Sequence, residues 1–406
     1  MSKTITRSPI FDRVLPQSFR ENILSILLKR IHAGILTVEF PTGRRALFKG
    51  TVDGPSAYIK IHNLRLIHRL IGRGDLGLAE GYMEGEWETP DLAGLISLGA
   101  VNADALKGTL QPNWFNKILN RLHHKKRANT KTGSRRNIAA HYDLGNEFYA
   151  QWLDPSMSYS SAIFEDMNEP MEAGQRRKYL RLAGSLALKP GECILEIGCG
   201  WGGFAEIAAA EYGCQVVCLT LSIEQAAYTK ERMRRKGLAE QVEVRIQDYR
   251  DVEGQYDKIA SIEMFEAVGQ KYWRTYLQHV RARLKSGGRA AFQIITIDKA
   301  YFDDYQRNPD FIQRYIFPGG MLPSEPLLLD MISQSGLKHS DSYYFGKSYA
   351  ETVRRWDVAF QKNWMHLKGP GFDHRFYRMW RYYLCYCEVG FEQGTIDVGQ
   401  FVVENP

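Results

Sequence analysis

Ile194-Leu-Glu-Ile-Gly-Cys-Gly-Trp-Gly-Gly203 decides how this chain folds. Apolar residues lead into a carboxylate, then into four glycines within six positions, then into the helix-forming run Phe204–Glu211. That order reads as strand, tight turn, helix. Glycine is required where a backbone takes positive φ or approaches a ligand closely, so the turn reads as a nucleotide cradle at a helix N-terminus. Gly198-Cys-Gly-Trp-Gly-Gly203 also satisfies the dinucleotide pattern G-x-G-x-x-G. That pattern expects an acid at the end of the second strand to hold a ribose. The second strand here, Gln215–Leu221, carries Thr220 and no acid, whereas Glu196 lies two residues before the first glycine. A carboxylate there suits a ligand with an amino group and a positive charge. S-adenosylmethionine has both, and it is the expected cofactor.

Strands and helices alternate outward from this turn, the pattern of an α/β sheet. Strands are predicted at 192–197, 215–219, 242–246, 257–262 and 288–295, with a helix near 272–284. Ser222-Ile-Glu-Gln225 has the form of a capping box. Residues 296–393 break the alternation; they read as a helical, aromatic insertion and a natural wall for an apolar substrate. Strands near 338–344 and 399–403 complete the sheet.

Residues 1–120 form a small mixed unit, with strands at 35–40, 46–49 and 57–61 and a helix near 64–71. Tyr82, Met83 and Trp87 are read two ways, as a lipid-facing edge or as packing against the main domain. A basic linker, 121–136, carries seven Lys/Arg and no acid. Residues 1–140 hold 22 Lys/Arg against 11 Asp/Glu, and the remainder holds 31 against 35. The excess positive charge therefore belongs to the N-terminal part and points to an anionic partner. Each basic residue near an anionic lipid surface contributes about 1 kcal/mol. Nucleic acid is not expected, since no binding motif accompanies the charge.

Six cysteines without C-x-x-C spacing fit a reduced, cytosolic protein. No signal peptide is read at the N-terminus, no apolar run approaches the roughly 20 residues that span a bilayer, and no metal site is expected. The polar and aromatic stretch 137–161, ahead of the first strand, reads as a lid over the cofactor. His141 within it is more simply a structural histidine than a ligand or base.

His141-Tyr-Asp-Leu-Gly-Asn146, Leu153-Asp-Pro155, Ile197–Gly203, Leu219-Thr-Leu-Ser-Ile-Glu-Gln225, Gln247-Asp-Tyr-Arg-Asp251, Met264-Phe-Glu-Ala-Val-Gly269 and Tyr315-Ile-Phe-Pro-Gly-Gly320 together resemble the cyclopropane-fatty-acyl-phospholipid synthases and the related mycolic acid cyclopropane synthases. Gly77–Trp87 resembles the N-terminal domain of the bacterial phospholipid enzymes. The resemblance implies a seven-stranded class I methyltransferase (Rossmann-like) sheet over 137–406 and a small N-terminal α/β domain that contacts membrane or forms a homodimer. It implies that Tyr159 and Ser160 close over the methionine part of S-adenosylmethionine. Glu196, Gly198 and Gly200 would hold its amino and carboxylate ends, Thr220 and Gln225 the ribose, and Asp248 and Tyr249 the adenine.

The implied substrate is the cis double bond of an acyl chain on a membrane phospholipid, reached by an enzyme peripheral to the inner face of the membrane. The implied base is a bound bicarbonate, with Glu266 and Tyr315 among its holders. The family's cysteine position is Ser161 here and its histidine position is Gln293. Both substitutes donate hydrogen bonds, but Gln293 carries no charge and shuttles no proton. Two outcomes follow: a modified base and a cyclopropane product, which is the expectation, or another exit of the cation to a methylene- or methyl-branched chain. A small-molecule methyltransferase and a silent lipid-binding protein are the remaining alternatives.

Overall fold

A computed structural model of the chain describes residues 16–107, 144–367 and 371–406. The basic linker 121–136 and His141 lie outside the described residues. The chain divides into two compact units, Met1–Leu119 with Gly369–Val389, and Asn120–Lys368 with Gly390–Pro406. The sequence assigned 369–389 to the catalytic domain; it clusters instead with the N-terminal residues.

The first unit has a four-stranded sheet in the order β2-β1-β3-β4, formed by β1 (Ala33–Glu39), β2 (Arg45–Lys49), β3 (Val52–Ile61) and β4 (Trp87–Glu88). β1 alternates strictly between buried and half-buried positions, as expected of a strand with one covered face. Tyr82, Met83 and Trp87 are buried, and the Tyr82 ring lies 4.8 Å from Trp87 and 6.1 Å from Tyr382. They are core of their own unit, which overturns the lipid-facing reading.

The second unit holds seven strands: β5 (Cys193–Ile197), β6 (Gln215–Thr220), β7 (Val242–Ile246), β8 (Tyr256–Ile262), β9 (Leu284–Ile297), β10 (Lys338–Tyr344) and β11 (Ile396–Glu404), in the order β10-β11-β9-β8-β5-β6-β7. β7, β6, β5, β8 and β9 run parallel, and β11 is antiparallel to both neighbours. Strand order reverses at β5, between β6 and β8, and the carboxyl ends at such a switch point are where ligands bind in open α/β sheets. Apolar layers cover both faces: Phe265, Trp273, Tyr276 and Leu277 on one, Tyr179, Leu182, Phe204 and Met233 on the other. Ser222 caps its helix as the sequence predicts, its Oγ accepting from Gln225 N at 3.2 Å. Among the described residues no helix is long and apolar enough to cross a membrane.

Trp273 is 1% exposed and stacks on Phe265 at 5.5 Å. Trp273→Ala is therefore expected to destabilise this unit by about 3–5 kcal/mol through lost burial and the cavity left behind. Urea unfolding followed by circular dichroism measures it.

Candidate active site

The glycine turn begins where β5 ends. Gly198 N and Cys199 N both donate to Leu219 O at 3.0 Å, which ties the turn to β6. Gly198 has φ +84°, and a Cβ there would lie 2.8 Å from Met264 Cγ. Gly200 has φ +52° and nothing within 4 Å of a Cβ position, so the turn leaves open space above the strand end. Glu196 is 2% exposed; its Oε2 accepts a long 3.5 Å contact from Cys218 Sγ, and the Ala205 backbone also contributes a hydrogen bond. Burial pushes its carboxyl up to about 8, against the Cys218 contact and the charges of Arg232 and Lys178. A buried carboxyl raised by burial beside an open glycine turn fits a ligand that brings an ammonium group.

The residues expected to contact the rest of the donor lie at the next strand ends. Thr220, at the end of β6, donates from Oγ1 to Gln225 Oε1 at 2.9 Å. Asp248 follows β7; it is buried, paired with Arg250 at 2.6 Å, and accepts from Arg250 N. Tyr249 is half-buried with its ring edge-on to Tyr276 at 5.2 Å. The described part of the expected lid packs on the turn: Trp201 Nε1 donates to Asn146 Oδ1 at 2.7 Å, and Tyr149 lies 5.0 Å from Trp201. Tyr159 is walled by Tyr149, Trp152 and Trp356 at 5.3–5.4 Å. Ser160 faces inward, its Oγ accepting from Lys178 Nζ at 2.6 Å.

The four residues expected to handle the proton are arranged differently from the expectation. Ser161 is fully buried, but its hydroxyl donates to Ala162 O at 2.8 Å, so its side chain is not turned to an anion. Its backbone N donates instead to Glu263 Oε1 at 2.9 Å. Gln293 Nε2 donates to the same oxygen at 2.7 Å, and Tyr349 OH donates to Glu263 Oε2. Glu266 Oε1 accepts from Ile295 N at 2.6 Å, while its Oε2 is shielded from solvent and accepts no hydrogen bond. Burial and the charge of Glu263 push the Glu266 carboxyl up to about 8. Tyr315 sits in a π-helical turn, Ile312–Ile316, with its ring 5.4 Å from Phe311; the segment that follows is tied to Glu266 by Met321 N donating to Glu266 O at 2.9 Å.

Two ionisable residues in this cluster were not singled out from the sequence. Glu263 follows β8 directly, and Lys178 is 0% exposed on the helix Met171–Leu186. Lys178 had a signal: with Gln175 it interrupts an otherwise apolar stripe that continues through Leu182 and Leu186. Glu263 had one too, as a second acid three residues before Glu266. Burial pushes the Lys178 ammonium down to about 7, against the charges of Glu263, Asp154 and Glu196. An open cleft lined by Cys193, Gln215, Val242 and Tyr256 lies at the amino ends of the strands, away from these groups.

A parallel switch-point sheet with a glycine turn, a buried acid at the first strand end and a polar second strand end defines a class I S-adenosylmethionine-dependent methyltransferase. The chain belongs to the mycolic acid cyclopropane synthetase family, whose model matches residues 129–401. It is 37% identical to the tuberculostearic acid methyltransferase UfaA1 of Mycobacterium tuberculosis over 87% of this chain and 84% of that one. It is also 37% identical to the cyclopropane-fatty-acyl-phospholipid synthase of Escherichia coli, over 86% and 89%. The mycolic acid cyclopropane synthase CmaA1, solved with SAH and CTAB, superposes with a TM-score of 0.61 at 29% identity, covering 66% of this chain and 97% of that one.

An ammonium placed beside Glu196 lowers the carboxyl from its raised value, so donor binding at neutral pH is expected to expel a proton and to tighten as pH rises toward 8. Isothermal titration in buffers of different ionisation enthalpy reads the proton directly. Glu196→Gln is expected to remove the proton release and to weaken S-adenosylmethionine binding by about 2 kcal/mol, roughly 30-fold in Kd.

Proposed function

We propose that this enzyme transfers a one-carbon unit from S-adenosylmethionine to the cis double bond of an unsaturated acyl chain on a membrane phospholipid, and that the product is a cyclopropane. The observation that carries this reading is the pair Glu263 and Glu266 at the carboxyl end of β8, in the same unit as the aromatic wall around Tyr159. An isolated alkene is a weak nucleophile and reacts only when held in line with the donor carbon, so positioning supplies much of the rate. The bound donor supplies the electrophilic methyl carbon. Addition to one alkene carbon leaves positive charge on the other, which aromatic faces stabilise and water would quench. A proton must then leave, and carboxyl groups held beside the reacting chain are the means. The excess of Lys/Arg in residues 1–140 supports work at an anionic membrane surface, peripheral to its inner face.

A second reading has its own support. Ser161 N and Gln293 Nε2 are both spent on Glu263, so the positions that the resemblance assigns to bicarbonate already hold a carboxyl group. With the base altered, a hydride shift and proton loss from the chain would give a methylene- or methyl-branched product. The two relatives at 37% identity, a tuberculostearic acid methyltransferase and a cyclopropane-fatty-acyl-phospholipid synthase, divide between these outcomes.

Proton NMR of lipids from cells with and without the gene, supplied with a monounsaturated fatty acid, separates the readings, since both products gain the same CH2. Upfield ring-methylene signals are expected. Vinylidene or methyl-branch signals would establish the second reading, and lipids without any new one-carbon product would overturn both.

A further inference from the structure

The geometry around Glu263 points to a role beyond structure: we propose that its carboxylate accepts the proton released after carbon transfer, so that a side chain of the enzyme, not a bound small anion, is the base. The inference rests on the one-carbon chemistry proposed above and names its proton acceptor.

Glu263 has φ +49°, one of three non-glycine residues with positive φ among the described residues. Such a conformation costs a glutamate about 1–3 kcal/mol and persists only where surrounding contacts enforce it. Here they come from three separate parts of the unit: Ser161 N from the segment before the sheet, Gln293 Nε2 from β9, and Tyr349 OH from the helix Gly346–Asn363. Glu263 N also donates to Gln293 O at 2.8 Å. The Gln293 amide cannot turn over, because Gln400 Nε2 donates to its Oε1 at 3.2 Å, and Gln400 Oε1 in turn accepts from Arg181 Nη1 at 3.1 Å. A relay of amides therefore fixes one N–H on the carboxylate. Oε1 receives two donors and Oε2 one, which leaves a lone pair on Oε2 for an incoming proton.

The neighbouring groups separate the roles of the two carboxyls. Burial raises the Glu263 carboxyl above its usual range, and the three hydrogen bonds and the neighbouring Lys178 act against that rise. Glu266 has one donor and no such set, and it is held protonated at neutral pH. Two carboxyls of one site with unequal sets of hydrogen-bond donors can divide the roles of base and neutral acid. Glu263 directly follows β8, so its carboxylate stands at the carboxyl edge of the sheet with Glu266. In the step itself a C–H bond of the methylated chain breaks. Its electron pair closes the third side of the ring, or a new double bond in the branched outcome, and the proton passes to Glu263 Oε2 and later to solvent.

The test uses the full chain, S-adenosylmethionine and vesicles of phosphatidylglycerol with cis-monounsaturated chains, in buffer freed of carbon dioxide. Wild-type turnover is expected to be unchanged by added bicarbonate. Glu263→Gly suits the local φ and is expected to stay folded, with a lowered melting temperature from three donors left without their acceptor, and to keep its donor affinity while turnover falls about 100-fold or more, the range of a lost general base. Formate or bicarbonate, entering the space vacated by the side chain, is expected to restore part of that turnover, a rescue that a purely structural role would not give. Wild-type turnover that depends on bicarbonate would overturn the inference, as would a glycine variant that stays active without added anion, or one that no small anion rescues. Wild-type protein that modifies no vesicle lipid would fail the one-carbon reading itself.

Discussion

Everything at the carboxyl edge of the large sheet answers to one constraint, the cost of holding charge in a dry interior. Glu196, Glu263, Glu266 and Lys178 lie where the chain is otherwise apolar and aromatic, and an unpaired ion there costs several kcal/mol. Each group meets that cost differently. Glu196 and Glu266 are pushed toward the neutral acid, Lys178 toward the neutral amine, and Glu263 collects three hydrogen bonds. The partners for Glu263 come from before the sheet and from long after its glycine turn. The late elements, the helix Gly346–Asn363 and β11, are therefore part of the site and not only its wall.

That arrangement explains which parts of the molecule were legible in the sequence. The β5 turn, the strand sequence and the placement of Glu196, Thr220 and Asp248 were readable because each depends on local chain geometry: a strand end, a glycine with positive φ, a helix cap. The small unit's strands were readable for the same reason. The ownership of residues 369–389 was not, because an aromatic helical stripe looks alike whichever core covers it. Tyr82, Met83 and Trp87 illustrate the same limit, since apolar side chains bound for a core and for a lipid surface have one composition.

The base was illegible for a different reason. Its contacts span 102 residues from Ser161 and 86 from Tyr349, so no window of sequence contains them. Lys178 was visible as an intruder on an apolar helix face, but its partner Ser160 had been assigned elsewhere. Sequence alone shows which residues carry chemistry-bearing groups; it does not show which of them spend those groups on one another.

Ser161 and Gln293 are the sharpest case. Taken one at a time, they look like the loss of two anion ligands. The Ser161 hydroxyl, however, points to Ala162 O and the donation comes from its backbone, so the side chain at 161 has little say in holding an anion. Gln293 is the residue type a fixed carboxylate needs at that spot: an N–H donor without charge, beside a lysine already strained by burial. A neutral imidazole there could donate one N–H to Glu263, but once protonated it would add a second buried cation near Lys178. The glutamine, the strained Glu263 and the Gln400–Arg181 relay that orients the amide therefore form one unit. Each of the three supports the placement of the others, and the donors at 161 and 293 are spent on the carboxyl at 263.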